Sequence, residues 1–105
     1  MDEAKRARLE AAGWRVGDAA GFLDLSPEET AFIELKLALA QHLRDVRTRR
    51  RLTQQAVADL VGSSQSRVAK MEAADPSASV DLMVRTLLAL GVSRRQVGRV
   101  IARAA

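Results

Sequence analysis

Twenty consecutive residues, Thr53 to Glu72, constrain this chain more than any other stretch. Thr53 opens a short segment with Val57, Leu60 and Val61 at helical spacing, which predicts a helix with those three on its inner face. Gly62 follows the last of them. A glycine there ends a helix cheaply, because without a Cβ it takes a left-handed backbone with no clash. Ser63 or Ser64 then caps a second helix, expected to span 64–74. The grammar is helix, tight turn, helix, and the second helix pairs an apolar face with a face of short polar and basic residues.

The flanks are helical too. Ser26-Pro27-Glu28-Glu29 is a strong helix start, with Ser26 able to cap, Pro27 suited to the first helical position and Glu29 three residues after the cap. Phe32, Leu35, Leu39, Leu43 and Val46 recur at helical spacing and predict a buried stripe. Arg49-Arg50-Arg51 sets positive charge at the negative end of that helix dipole. Asp75-Pro76-Ser77-Ala78 reads as a loop. Ser79 caps a helix carrying Leu82, Met83, Leu87, Leu88 and Leu90 and ended by Gly91, with Met71 and Met83 expected as core filler. Ser93-Arg94-Arg95-Gln96 reads as a second capping box. The last helix carries Val97, Val100 and Ile101 on one face and Arg95, Arg99 and Arg103 on another. Ahead of all this, Asp2 to Ala12 reads as a short charged helix stopped by Gly13, and Trp14, Val16, Phe22, Leu23 and Leu25 form an apolar cluster. No run of β-branched or aromatic residues alternates with period two, so no strand is predicted. The expected fold is all-α: one domain over 26–105 with an N-terminal extension over 1–25, which either packs on the core or binds a partner.

Composition narrows the function. The chain has 105 residues, no cysteine and one histidine. Without cysteine there is no disulfide framework, thiolate nucleophile or Cys-based zinc site. His42 has no second nitrogen or thiolate near it in sequence, so no metal site is expected. Glu28, Glu29 and Glu34 suit helix starts better than acid–base work, the serines lack a partner base, and no glycine-rich phosphate loop follows a strand. No enzyme activity and no cofactor is expected. No signal peptide or apolar membrane-length segment is apparent, and a cytoplasmic setting fits.

Net charge is +4, and its distribution says more than its sum. Residues 77–105 carry five basic groups and one acidic, and Arg47 to Arg51 hold four arginines. A basic face attracts phosphate, although arginines can also simply solvate helix ends. With Val68 facing the core, steps of about 100° per residue carry Ser66, Ala69, Lys70 and Ala73 to the far side, with Gln65 projecting from the N-terminal end. Gln can bond bidentately to adenine, Lys can donate to guanine, Ser fits several bases and Ala lets a helix approach closely or touch a thymine methyl. Gln65, Ser66, Ala69 and Lys70 are therefore the candidate base-reading residues. Arg67 on the flank and Ser64, Ser77 and Ser79 are candidates for phosphate, as is Gln54 at the start of the preceding helix, where the dipole helps.

The segment from Leu43 to Ser93 resembles the helix-turn-helix domain of the lambda-repressor-like, Xre-type regulators. The likeness is carried by Leu43-Arg44, Arg47, Leu52-Thr53-Gln54-Gln55-Ala56-Val57-Ala58, Val61 to Glu72 and then Leu87, Leu90-Gly91-Val92-Ser93. The resemblance covers about half the chain and implies a five-helix fold. It implies that Gln65, Ser66 and Lys70 face bases, that Gln54 and the loop after the second helix touch phosphates, and that Arg47 and Glu72 form an ion pair tying the first helix to the recognition helix. Two departures stand out: Ala73-Ala74 follows Glu72 where the family often has Gly, and the Asp75–Ser79 loop is not basic.

The expected partner is double-stranded DNA, read as a palindromic operator by a homodimer acting as a transcriptional repressor. Val97, Val100 and Ile101 are the candidate dimer face, unless they close the core of one chain. The competing expectation is an antitoxin that binds a toxin protein and regulates its own operon, with Trp14 and Phe22 as anchors.

Overall fold

The computed structural model describes residues 25–104; the expected N-terminal helix over 2–12 and the apolar residues Trp14 to Leu23 lie outside them. Among the described residues there are five helices and no strand: α1 (Pro27–Arg49), α2 (Gln54–Val61), α3 (Gln65–Glu72), α4 (Val80–Ala89) and α5 (Arg94–Arg103).

Capping decides where each helix begins. At α1 the Ser26 hydroxyl accepts from the Glu29 N–H at 3.1 Å and the Glu29 carboxylate accepts from the Ser26 N–H at 3.2 Å, a complete capping box. Thr53, Ser64, Ser79 and Ser93 cap the other four through the backbone N–H three residues on. At α5 the box is only half made, because the Gln96 amide turns to His42 instead of back onto Ser93.

α1 is the mast on which α3, α4 and α5 pack, and α2 bridges α3 and α4. Its inner face is Ile33, Lys36, Leu39, Ala40, Leu43 and Val46, rotated from the expected stripe. Leu39, Leu43 and Val46 are buried as expected, but Phe32 is 51% exposed, since Ile33 and Lys36 occupy the inner side one step around the helix. Leu60 is likewise 65% exposed. The two turns of α2 bury Val57 and Ala58 and half-bury Val61, which leaves Leu60 facing outward. Leu88 is exposed beside a fully buried Leu87.

Leu39, Leu43, Val57, Val68, Met71, Met83 and Leu87 form the centre of the core, all fully buried. The buried Thr86 keeps its hydroxyl satisfied by donating to the Leu82 carbonyl at 2.8 Å. Val97 and Val100, expected on a dimer face, belong to this same cluster, with only 5% and 4% exposure. They close the core of one chain, and Ile101 is half-buried beside them.

Four helix ends share one device. After α1, the Arg51 N–H donates to the Thr48 carbonyl and the Leu52 N–H to the Arg47 carbonyl, both at 3.0 Å. The same crossed pair of bonds closes α3 and α4, and at α2 the Ser63 N–H reaches the Ala58 carbonyl at 2.8 Å. Each closure needs one left-handed residue. Gly62 (φ 70°) and Gly91 (φ 88°) supply it freely, whereas Arg51 (φ 55°) and Ala74 (φ 52°) do so against their Cβ atoms. α3 therefore stops at Glu72 and does not extend to Ala74 as its sequence predicted.

Arg51 is exposed, so its backbone strain can be tested without disturbing the core. Left-handed strain of about 1 kcal/mol, less the extra unfolded-state entropy of glycine, predicts that Arg51→Gly raises the unfolding free energy by roughly 0.5 kcal/mol. Arg51→Val should lower it by more than about 1 kcal/mol. Urea unfolding checks both, and the opposite ranking of the two variants would contradict the assignment.

Candidate nucleic-acid interface

The turn between α2 and α3 is short because Gly62 reverses the chain at once and Ser64 immediately caps the next helix. Val57 and Ala58 of α2 and Val68 and Met71 of α3 point inward, and the small Ala58 lets the two helices approach. What remains outward on α3 is Gln65, Ser66, Arg67 and Lys70, all exposed, with Ala69 half-buried between them.

The back of α3 is bolted to α1. Arg47 meets Glu72 with both arms of its guanidinium, Nε to Oε2 at 2.6 Å and Nη2 to Oε1 at 3.0 Å. Its remaining nitrogen, Nη1, donates to the Leu52 carbonyl at 3.0 Å. The Glu72 side chain is only 5% exposed and that of Arg47 16%, so the pair works in a largely dry setting. The hydrogen bonds to Glu72 raise the Arg47 pKa, which keeps it cationic.

From Glu72 the network runs out to the exposed face. Gln54 Nε2 donates to Glu72 Oε1 at 3.4 Å, and Gln54 Oε1 accepts from Gln65 Nε2 at 2.7 Å. Gln54 is thus engaged within the protein, and it holds the Gln65 amide with its oxygen still available as an acceptor. Sequence pattern did not disclose this link, since the two glutamines lie eleven residues apart and meet only across the turn.

Beyond α3, Ser64, Ser66, Arg67 and Lys70 share a concavity of about 260 Å³ with Ser77 and Ala78 of the following loop. Ser77 donates both its N–H and its hydroxyl to Asp75, at 2.9 and 2.7 Å. Those bonds hold the Asp75 carboxyl below the usual carboxylate range, the backbone bond contributing most. The Ser77 proton is therefore committed within the loop. The Ser64 and Ser79 hydroxyls act as cap acceptors, which leaves their own protons free to donate. The loop is held from behind by Lys36, buried on α1, whose Nζ donates to the Asp75 carbonyl at 3.1 Å. Its position one turn from Ile33 and Leu39 on the inner face is the signal that sequence reading passed over.

Among the described residues no three His, Cys, Asp or Glu side chains gather as a metal-ligating group. No described helix is long and apolar enough to cross a membrane. A family model described as a helix-turn-helix domain matches residues 38–100, which spans the last three turns of α1 and continues into α5. No curated protein and no solved structure matches the chain.

Glu72→Ala strands the Arg47 guanidinium in a mostly dry site and should lower the unfolding free energy by about 3 kcal/mol. Glu72→Gln keeps the shape and part of the bonding, and should fall between the two in urea titrations. A loss below about 0.5 kcal/mol in Glu72→Ala would show that the pair does not hold α3 to α1.

Proposed function

The chain belongs to the helix-turn-helix domain family, and from that premise we propose that it is a sequence-specific DNA-binding regulator that lays α3 into the major groove. The observation that carries this reading is the outward face of α3: Gln65, Ser66 and Lys70 exposed, half-buried Ala69 between them, and a bolted ion pair behind. Small side chains allow close approach, and the amide, hydroxyl and ammonium groups supply the donors and acceptors that base edges require. Gln65 is suited to adenine and Lys70 to guanine. Arg67, Ser64 and Ser79 flank the helix where phosphates would run, and the N-terminus of α2 adds its dipole beside Gln54. Ser77 contributes by ordering the loop, and phosphate affinity rests on the arginines.

A single α3 reads about half a site, so the reading extends to a homodimer acting as a repressor on a palindromic operator. Val97 and Val100 are committed to the core, so the pairing surface in this reading lies elsewhere. The antitoxin alternative draws its one support from Phe32, a large aromatic 51% exposed near the start of α1.

Selection from a random duplex library, followed by fluorescence anisotropy of the winner at two salt concentrations, tests the proposal. A palindromic consensus bound at least a hundredfold better than scrambled DNA, with a steep salt dependence, is the expected result. Lys70→Ala should then weaken binding to the selected duplex by about 1–3 kcal/mol and to scrambled DNA far less. Weak, unselective binding would overturn DNA reading and favour a protein partner.

A further inference from the structure

α1 and α5 border a second, open concavity that shares no residue with the one beside α3. His42, Asp45 and Arg49 from α1 and Gln96, Arg99 and Arg103 from α5 line a cleft of about 490 Å³. Three guanidiniums thus face one carboxylate. Asp45 Oδ1 accepts from Gln41 Nε2 at 3.0 Å, a neutral donor that leaves the carboxylate charge in place, so the three guanidiniums outnumber it. Among the described residues, neither Arg49, Arg99 nor Arg103 forms an ion pair within 4.0 Å.

The guanidiniums are also oriented. Arg49 Nε donates to the Asp45 carbonyl and Arg103 Nε to the Arg99 carbonyl, each at 3.3 Å. Each bond uses the inner nitrogen and leaves the outer pair of donors unused. The planar fork of Arg suits the oxygens of a phosphoryl group, which can take two parallel bonds from it. Arg99 and Arg103 are one helical turn apart, where like charges repel, and a bound anion would relieve that repulsion. At the floor, His42 is 9% exposed and its Nε2 lies 3.2 Å from Gln96 Nε2. Burial first, and then the charge of Arg49, hold His42 below the ordinary imidazole range, so the positive charge of the cleft at neutral pH belongs to the arginines.

We propose that this cleft binds the phosphoryl group of a free small molecule, at a site separate from the face of α3. The proposal does not depend on DNA binding, because its residues and its probe are both different. Pyrophosphate, titrated into the full chain at constant ionic strength and followed by backbone amide shifts, is the test. Saturable shifts at residues 42–49 and 96–103 are expected, unchanged in Lys70→Ala. Affinity should fall at least tenfold in Arg99→Gln/Arg103→Gln, and by a similar factor in Arg49→Gln, which leaves α5 intact should the double variant unfold. Shifts that never saturate, or an affinity unaltered by these substitutions, would overturn the proposal. Adding a random-sequence duplex separates the two sources of phosphate. Retained pyrophosphate shifts support a free ligand, whereas displacement would overturn it and assign the cleft to a nucleic-acid backbone.

Discussion

Arg47 joins the end of α1 to the segment that leads into α2 and, 25 residues on, to the end of α3. Its guanidinium grips Glu72 at the end of α3 in two bonds and the Leu52 carbonyl ahead of α2 in a third. Both helices of the turn are thereby referenced to α1, the longest element among the described residues. A fork of fixed geometry transmits orientation as well as attraction, which an ammonium on a flexible stem would not. From Glu72 the same constraint passes through Gln54 to Gln65, the first residue of the exposed face. The proposed base-reading amide is therefore positioned by an ion pair on the other side of its helix.

The joints around this bolt are stiff. Each of the first four helices is followed by a left-handed residue, closed by crossed backbone bonds after α1, α3 and α4 and by paired bonds to the Ala58 carbonyl after α2, which leaves little slack in the connections. Two of those joints use non-glycine residues, Arg51 before the turn and Ala74 after it. Both flank the α2–α3 unit, and their strain is held by the packing around them. Lys36 adds a second tie from α1, reaching past the core to the Asp75 carbonyl, so the loop after α3 is held from behind as well.

Much of this was legible in the sequence. The caps Ser26, Thr53, Ser79 and Ser93 and the stop at Gly62 set the helix order by local chemistry, which reads directly from residue type, while the choice of Ser64 over Ser63 as the cap of α3 needed the structure. Helix faces were less secure. Phe32 and Leu60 fit a helical spacing as well as their buried neighbours do, and only packing against the other helices decides which side turns inward. The end of α3 was misplaced because nothing in Ala73-Ala74 announces a left-handed residue. The contact between Gln54 and Gln65 is a tertiary fact with no local signature, whereas Lys36 and the Val97–Val100 pair each lie on an apolar helix face whose packing partner only the assembled fold reveals.

In the proposed function, the outward face of α3, held by Arg47 and Glu72, is the surface that meets DNA. Backbone amide shifts of the full chain, recorded as a selected duplex is added, test it most directly. The largest changes are expected at residues 53–55 and 64–70 and at Ser79, with α5 nearly unmoved. Changes concentrated on α5 or the adjoining face of α1, with α3 unshifted, would contradict it.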